Sequence, residues 1–468
     1  MSTPRTPNIT CLEYEMAMDQ LVAALEERIS ELPLFDAHTH LVGGHLGARG
    51  LHDIMLYHMG ISDLHAAGCP SGARLTQYPG WPTIEESHQR IREALPYLKR
   101  VRNTTISWGR SIILRDLYGF DEELDDGNWQ KIDSAIRERA DDAGWHREIM
   151  NRARIRRFVT EYARREEGRA DDILQYSLEW GFFTRCQWGE YDTALYELER
   201  CWGKLPESPM PIGGGSRPET ERTIRTLDDV HAAIAWYVGH MPADKIVGMA
   251  TSLSTDIDYR VIDDREMRES LSRRSTAGPE ERDTYASYIN EAFLTALEKQ
   301  HGDRIAYQFG FGAEPLPYET GSRLNQRTIA QLAEIVGRHP GLNFHCYAAS
   351  RHANQSLCTL CRELPNLCLV GYWWHNFFQS PMRQIMEERL DMLPTSKQIG
   401  FFSDAYCIEW SYAKSIIVKR ELARVLAAKV ELGQYDIDSA VDIARETFYD
   451  TTRDLMRMVP AEAATAAC

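Results

Sequence analysis

Two histidines near the start of the chain have the spacing of a metal site. His38 and His40 lie in the apolar, strand-like run Leu34-Phe-Asp-Ala-His38-Thr-His40-Leu41. Residues two apart in a strand point to the same face, so both imidazoles project together. Two converging imidazoles suit a divalent transition metal such as Zn, Mn or Fe. A bare His-x-His pair also occurs on wet protein surfaces, but the strand-like flanks favour the metal site.

A carboxylate far along the chain could complete this site. Asp404 ends the run Ile399-Gly-Phe-Phe-Ser403-Asp404, which is typical of a buried strand that ends in a polar residue. Asp is also a common N-cap and a helical pattern follows, so a structural role is compatible with a chemical one. A carboxylate beside a metal can bind it and can accept a proton from water or substrate. Asp404 is therefore a candidate metal ligand and the candidate catalytic residue.

The elements that must position these residues are strands and helices in alternation. Short β-rich runs alternate with longer amphipathic stretches from residue 33 almost to the end of the chain. This alternation predicts βαβ units in an α/β protein, and eight strand candidates fit a closed (β/α)8 TIM barrel better than an open sheet. Active sites of such barrels form at the carboxyl ends of the strands. The strand candidates are 34–42, 155–160, a stretch ending near 183–185, 245–251, 305–311, 342–347, 368–373 and 398–402.

One long segment interrupts the alternation and defines the expected domain organisation. Residues 43–150 are mostly helical in pattern and rich in His and Trp, so we expect a helical insertion after strand 1 that caps the barrel mouth. Residues 31–456 are then a single barrel domain that contains this insertion. Residues 1–30 are predicted to form an N-terminal helical segment, and the Ala-rich residues 457–468 a frayed tail.

Composition excludes several classes of partner. With 53 Lys and Arg against 69 Asp and Glu, the net charge is −16, which argues against nucleic acid because phosphate backbones require clustered positive charge. No window approaches the roughly 18 uninterrupted apolar residues of a membrane span. The first residues lack the apolar core of a signal peptide, and ten cysteines are too sparse for a disulfide scaffold. We expect a cytoplasmic homo-oligomer that acts on a small-molecule substrate.

Motifs along residues 30–456 resemble those of the amidohydrolase superfamily, and their order is most similar to that of the uronate isomerases. The opening Phe35-Asp-Ala-His-Thr-His-Leu41 is similar to that family's Phe-Asp-x-His-x-His-Leu motif. The resemblance implies a (β/α)8 barrel, a divalent metal at His38, His40 and Asp404, and aldose–ketose isomerisation of a sugar acid. The other segments that carry it are Tyr57-His58, Asn103 with Trp108, Thr184-Arg185, Gln308 with Gly312-Ala313, Tyr372-Trp-Trp-His-Asn376, Ser403-Asp404, and Tyr412 with Asp442-Ile443.

The chain departs from the uronate isomerase pattern at residues that would hold the substrate. Gly310 stands where the family has His, Tyr406 where it has Arg, and Met59 where it has Tyr; 251–254 replaces a Ser-Asp-His-Gly segment. A carboxylate substrate is best bound by the two-pronged guanidinium of Arg, whose charge Tyr cannot supply. The metal residues thus remain, while several groups for a hexuronate are replaced.

Further residues are expected around the metal. His345, in the sixth strand candidate, is expected in or beside the first coordination shell, because the wider superfamily often has a metal-binding His at the ends of its fifth and sixth strands; a core histidine is the alternative. Arg185 sits where the family has a substrate-facing Arg. Tyr406, Trp373 and His375 are the other candidate substrate-binding residues. An aromatic wall suits a sugar face or a planar ring equally.

Three functions remain open from the sequence. The first is an isomerase of a sugar or sugar acid, in which Asp404 or a neighbouring group moves the proton. The second is a metal-dependent hydrolase in which metal-bound water becomes hydroxide and Asp404 takes its proton. The third is a non-catalytic relative kept as a binding protein, which the retained metal residues argue against. The whole-chain resemblance favours the isomerase.

Overall fold

The fold is built on eight parallel strands. The computed structural model describes residues 11–70, 83–166, 168, 170, 172–179, 191–205, 217, 219–254, 257–312, 326–373 and 377–458. The strands are β1 Leu34–Asp36, β2 Ile155–Glu161, β3 Leu174–Glu179, β4 Ile246–Ser252, β5 Ala306–Phe311, β6 Asn343–Ala348, β7 Leu367–Val370 and β8 Gln398–Ile399.

Each strand pairs in parallel with the next one along the chain, in the order β1 to β8. The predicted α/β, TIM-like architecture is therefore confirmed. Within the described residues the third strand, β3, covers Leu174–Glu179, and its predicted end at 183–185 lies outside them. The first and last strands are shorter than predicted, since β1 ends at Asp36 and β8 at Ile399, so His38, His40 and Asp404 lie just beyond them.

Backbone hydrogen bonds join the segments that follow the first and last strands. The amide of Ala37 donates to the carbonyl of Phe401 at 3.2 Å, and the amide of His40 donates to that of Ala405 at 2.8 Å. In the opposite direction, the amide of Asp404 donates to the carbonyl of His38 at 3.0 Å. These bonds hold the segments after β1 and β8 together at the carboxyl edge of the sheet, where their side chains meet.

Helices connect the strands, and local capping signals explain several of their ends. Helix α9, Leu227–His240, begins at a capping box formed by Thr226 and Asp229, and helix α5, Thr105–Tyr118, ends at Gly119 in the left-handed conformation at φ 74°. The helices after β2 are α8 Thr193–Cys201, α9 Leu227–His240, α10 Asp264–Ser272, α11 Pro279–His301, α12 Gln326–Arg338, α13 Asn354–Glu363, α14 Gln379–Met392, α15 Ile408–Glu431, α16 Ile437–Arg445 and α17 Thr451–Leu455.

The segment between β1 and β2 consists largely of helices. They are α2 Leu51–Met55, α3 His58–Ala66, α4 Ile84–Ala94, α5 Thr105–Tyr118, α6 Trp129–Arg137 and α7 Ala143–Ala153. Its beginning is attached to the start of α15, because the amide of Ile408 donates to the carbonyl of Leu46 at 2.8 Å and the Glu409 carboxylate accepts from the amide of Ala48 at 2.9 Å. That this segment caps the barrel mouth remains a prediction.

The long helix α15 anchors the N-terminal helix. Helix α1, Cys11–Ser30, packs against α15, and the buried ammonium of Lys419 donates to the carbonyls of Ser30, Leu32 and Ala153. Lys419 thereby satisfies acceptors at the ends of two helices. Within the described part of the chain, no helix is long and apolar enough to cross a membrane.

Candidate metal centre

Three side chains converge at the carboxyl ends of β1 and β8. Nε2 of His40 lies 3.1 Å from Oδ1 of Asp404, and Nε2 of His38 lies 3.8 Å from the same oxygen. One donor atom from each of the three lies within 4.8 Å of the others. The two imidazole rings are 5.0 Å apart and nearly perpendicular. The His-x-His spacing thus directs both rings toward one carboxylate.

A second carboxylate, which the sequence did not reveal, holds His40. Glu161 is the last residue of β2, and its Oε1 contacts Nδ1 of His40. Its other oxygen accepts a 2.6 Å hydrogen bond from Nε of Arg164. Because Nδ1–H of His40 donates to the buried Glu161 carboxylate, Nε2 is the nitrogen that faces Asp404, and it can bind a cation there once it has lost its proton.

The electrostatics of the two histidines differ. Burial, followed by the neighbouring His40, lowers the pKa of His38 to about 4, so His38 is a neutral donor. Burial also disfavours a charged His40, but the Glu161 and Asp404 carboxylates outweigh it and raise the pKa of His40. Burial disfavours an ionised Asp404, but its hydrogen bond with His40 and the charges of His40, His58 and His38 outweigh burial and keep the pKa of Asp404 well below its usual range. A divalent cation that binds Nε2 of His40 and the Asp404 carboxylate can replace the proton of His40.

The donor set fits a divalent transition metal. Two imidazole nitrogens and one carboxylate oxygen are ligands that Zn, Mn and Fe accept. Three protein ligands are also the pattern of catalytic sites, which keep a coordination position for water or substrate. Glu161 supplies the outer carboxylate that commonly orients a metal-binding histidine.

The backbone of Asp404 adopts an unusual conformation. Its φ of 54° lies in the left-handed region, which residues with a side chain rarely enter. The amide of the preceding Ser403 donates to Oδ1 of Asp36 at 2.8 Å. The carbonyl of Asp404 accepts a 3.0 Å hydrogen bond from the Tyr57 hydroxyl, which comes from the segment between β1 and β2. Strained backbone that is held in this way is common at functional sites.

Aromatic rings and one further histidine line the approach to the centre. The Tyr406 ring stacks on His40 with centroids 4.4 Å apart, so Tyr406 lies at the site where sequence analysis placed it. Nε2 of His58, at the start of α3, is 3.5 Å from Oδ2 of Asp404. The Arg164 guanidinium is 6.0 Å from the Tyr406 ring centroid. A tyrosine ring therefore stands where the uronate isomerase pattern has an Arg, and the nearby Arg164 guanidinium is paired with Glu161.

His345 lies deeper in the fold than the three converging residues, and it does not belong to their group. Tyr347, two residues further along β6, lies with its ring 5.8 Å from that of His38. Residues two apart in a strand share a face, so His345 occupies the layer beneath Tyr347. Neither of its ring nitrogens has a hydrogen-bond partner among the described residues, and burial lowers its pKa to about 3. Ligation by His345 remains a prediction.

Tyr347 also explains the glycine that replaces the family's fifth-strand His. Gly310 pairs with Tyr347 between β5 and β6. A Cβ at position 310 would lie 2.4 Å from a ring carbon of Tyr347, so any larger residue requires the ring to move. The Tyr347 ring thus occupies the space that a fifth-strand side chain would need.

The remaining candidate substrate residues divide into two groups. Trp373 follows β7, is buried, and packs edge-on against Tyr347 with centroids 4.8 Å apart. It is linked to the centre through Tyr347 and Phe402, whose ring lies 4.8 Å from His38. Arg185 and His375 lie outside the described residues, so their placement at the site remains a prediction.

Comparisons with known proteins show where this fold occurs. No family model matches the sequence, and no curated protein matches it significantly. Among solved structures, glucuronate isomerase from Caulobacter crescentus has a TM-score of 0.75 at 13% identity, covering 98% of this chain and 98% of that chain. Uronate isomerase from Thermotoga maritima has a TM-score of 0.72 at 13% identity, covering 93% and 97%.

A third similar structure is that of a protein with a different assigned function. This protein from Lactobacillus casei, provisionally assigned as a metal-dependent hydrolase, has a TM-score of 0.55 at 13% identity, covering 92% of this chain and 97% of that chain. At this level of identity the likeness establishes a shared fold. The fold is consistent with the uronate isomerase-like resemblance carried by the sequence motifs.

Proposed function

We propose that the chain is a metal-dependent enzyme of the amidohydrolase superfamily, resembling uronate isomerases, that interconverts the aldose and ketose forms of a sugar or sugar acid. One observation carries this proposal: His38, His40 and Asp404 meet at the carboxyl ends of the strands in a fold shared with a glucuronate isomerase over 98% of the chain. When bound, a divalent metal would supply Lewis-acid polarisation of a substrate oxygen.

Asp404 is the group proposed to move the proton. Aldose–ketose isomerisation moves a proton from C2 to C1 of the sugar and the hydroxyl proton from O2 to O1, which requires a base that later acts as an acid. The contacts that hold the pKa of Asp404 low keep its carboxylate ionised at neutral pH, so it starts as the acceptor. Its Oδ2 lies 3.5 Å from Nε2 of His58, which can share the proton during transfer.

The other residues have supporting roles. His38 and His40 provide neutral nitrogen donors, and Glu161 fixes the orientation of the His40 ring. Tyr406 stacks on His40 at the centre and offers an aromatic surface to a sugar ring. We further propose that Arg185, Trp373 and His375 contact the substrate.

A metal-dependent hydrolase is the second candidate, because several isomerase residues are replaced. Tyr406 occupies the position of the family's Arg, Met59 is buried in the hydrophobic core, and the Tyr347 ring fills the space beside Gly310. The same carboxylate, Asp404, would then accept a proton from the attacking water. The structural similarity to the Lactobacillus casei protein, provisionally assigned as a metal-dependent hydrolase, supports this alternative.

The test is a pair of activity assays on the full chain supplied with Zn, Mn or Fe. Ketose formation from a panel of aldoses and aldose acids is followed by carbon NMR, and a panel of esters and lactones is assayed in parallel. We expect ketose formation, and Asp404→Asn should reduce it by about 10²–10⁴-fold, the usual contribution of a general acid–base group. Asp391→Asn, which alters a carboxylate paired with Lys429, is the control and should remain active. Hydrolysis without ketose formation would favour the second candidate, and activity that does not depend on Asp404 would reject both.

A further inference from the structure

Two buried residues form a chain of hydrogen bonds that ends on the backbone of Asp404. We propose that Lys414 and Tyr57 are positioning residues, which fix the Asp404 carboxylate in its metal-binding orientation without touching metal or substrate. Lys414 belongs to α15 and Tyr57 immediately precedes α3. This inference rests on the metal centre of the proposed function.

The backbone conformation of Asp404 must be held by neighbouring residues. With φ at 54°, its backbone occupies a region that L-residues disfavour, so the turn would relax unless its neighbours held it. Relaxation would rotate the carboxylate away from His38 and His40. The amide of Asp404 donates to the carbonyl of His38, which fixes one side of the residue. The other side requires a donor to the Asp404 carbonyl.

Tyr57 supplies that donor, and Lys414 supports it. The Tyr57 hydroxyl donates to the Asp404 carbonyl at 3.0 Å. The Lys414 ammonium donates to the Tyr57 oxygen and also to the carbonyl of Ser403. A hydroxyl that accepts from a cation becomes a stronger donor, because hydrogen bonds in a chain polarise one another. The pair therefore holds two consecutive carbonyls of the turn.

The surroundings fix the pair in place and keep it from the substrate. Tyr57 is fully buried, and its ring stacks on Trp410 with centroids 4.7 Å apart. Lys414 is 1% exposed, and its ammonium lies 4.4 Å and 4.5 Å from the ring centroids of Tyr57 and Phe377. Buried ammonium groups require such partners. The arrangement joins the segment between β1 and β2 to the carboxyl edge of the sheet through Asp404.

The experiment compares metal affinity in matched tyrosine variants of the full chain. Tyr57→Phe removes the hydroxyl and keeps the ring. Tyr118→Phe is the control, because the Tyr118 hydroxyl donates to Glu409 of the same helix α15 at 2.8 Å. We expect the Kd for Zn²⁺, measured by competition with a chromophoric chelator, to rise about tenfold or more in Tyr57→Phe, as for other outer-sphere partners of metal ligands. The control should stay within about twofold of wild type, the usual limit for distant independent sites.

A double-mutant cycle separates positioning from general stability. In an Asp404→Ala background, Tyr57→Phe should leave the remaining Zn²⁺ affinity unchanged, because the residue that it positions is gone. Lys414→Met, which keeps an unbranched apolar stem, should weaken Zn²⁺ binding in the same direction and should not add to Tyr57→Phe. It also provides the test if Tyr57→Phe does not fold. The visible spectrum of the Co²⁺-substituted protein should change in these variants but not in Tyr118→Phe.

The outcomes distinguish this inference from the proposed function. Wild-type protein that binds no Zn²⁺ or Co²⁺ would reject the metal centre and the inference with it. Wild-type affinity in folded Tyr57→Phe and Lys414→Met would reject the positioning role alone. Equal losses in Tyr57→Phe and Tyr118→Phe, or a further loss in the Asp404→Ala background, would also overturn it.

Discussion

Glu161→Gln should weaken metal binding at a site that Glu161 itself does not ligate. The Glu161 carboxylate is 2% exposed and contacts Nδ1 of His40 and Nε of Arg164. A glutamine keeps the shape and can still accept from Nδ1, but it loses the charge that makes this hydrogen bond strong. A charge-assisted hydrogen bond contributes about 1.5–3 kcal/mol, and about 1.4 kcal/mol corresponds to one decade. The expected rise in the Kd for protein with deprotonated His40, after correction for proton competition, is therefore about 10–100-fold, the range seen for other outer-sphere carboxylates.

The pH dependence of binding gives this prediction a second readout. Glu161 and Asp404 raise the pKa of His40, so in the absence of metal His40 is protonated at neutral pH and must lose that proton when metal binds. Below the raised pKa, log Kd should then fall by about one per pH unit as pH rises. Glu161→Gln lowers the His40 pKa, so the same plot should flatten at a lower pH than in wild type.

Isothermal titration of Zn²⁺ into the metal-free protein between pH 6 and pH 9 measures both quantities. The matched control is Glu197→Gln, since Glu197 is also buried and also pairs with an Arg three residues later, Arg200, at 3.0 Å. That control should lose stability but bind Zn²⁺ as wild type does. An unchanged Kd and an unchanged pH profile in Glu161→Gln would refute the role assigned to the Glu161–His40 contact.

Three other predictions follow from particular residues. We predict that His345 binds the metal. A crystal structure with bound metal should place one of its ring nitrogens about 2.1 Å from the ion. A distance above about 4 Å without a bridging water would exclude this role. Glucuronate and galacturonate should be poor substrates. Because Tyr406 lacks the positive charge of an Arg, their turnover in a ketose assay should be about one to two orders of magnitude below that of an authentic uronate isomerase. Comparable turnover by the two enzymes would contradict this. Lys419→Met should lower the free energy of unfolding in urea by about 1–3 kcal/mol, because the carbonyls of Ser30, Leu32 and Ala153 lose their donor. The affinity for Zn²⁺ should stay that of wild type, and an unchanged unfolding midpoint would contradict this prediction.

The strand pattern and the histidine pair could be predicted because their signals are local. Apolar runs of strand length, separated by amphipathic stretches, predict a parallel α/β sheet whatever the details of packing. The spacing of His38 and His40 alone puts both rings on one face, and Asp404 ends an apolar run. The third strand was harder to delimit, because β3, Leu174–Glu179, contains a Gln, a Ser and a Glu and has a weak apolar signal.

The residues that support the centre could not be predicted because the folded chain brings them from distant segments. Glu161 ends a strand whose second and third residues are arginines, and in sequence it is indistinguishable from an exposed charged residue. Its position at the end of a largely apolar run was the only signal in the sequence. Tyr57 and Lys414 are 357 residues apart, and nothing near either of them indicates a shared hydrogen bond.

The most direct test of the central claim is the metal content of the purified protein. Elemental mass spectrometry measures Zn, Mn and Fe in wild type purified without chelator. The His38→Ala, His40→Ala double variant is prepared and analysed in the same way. Because His38, His40 and Asp404 are the donors that lie within reach of one ion, we predict about one equivalent of metal per wild-type chain and a nearly complete loss in the variant. Full metal occupancy in the folded double variant would contradict the account.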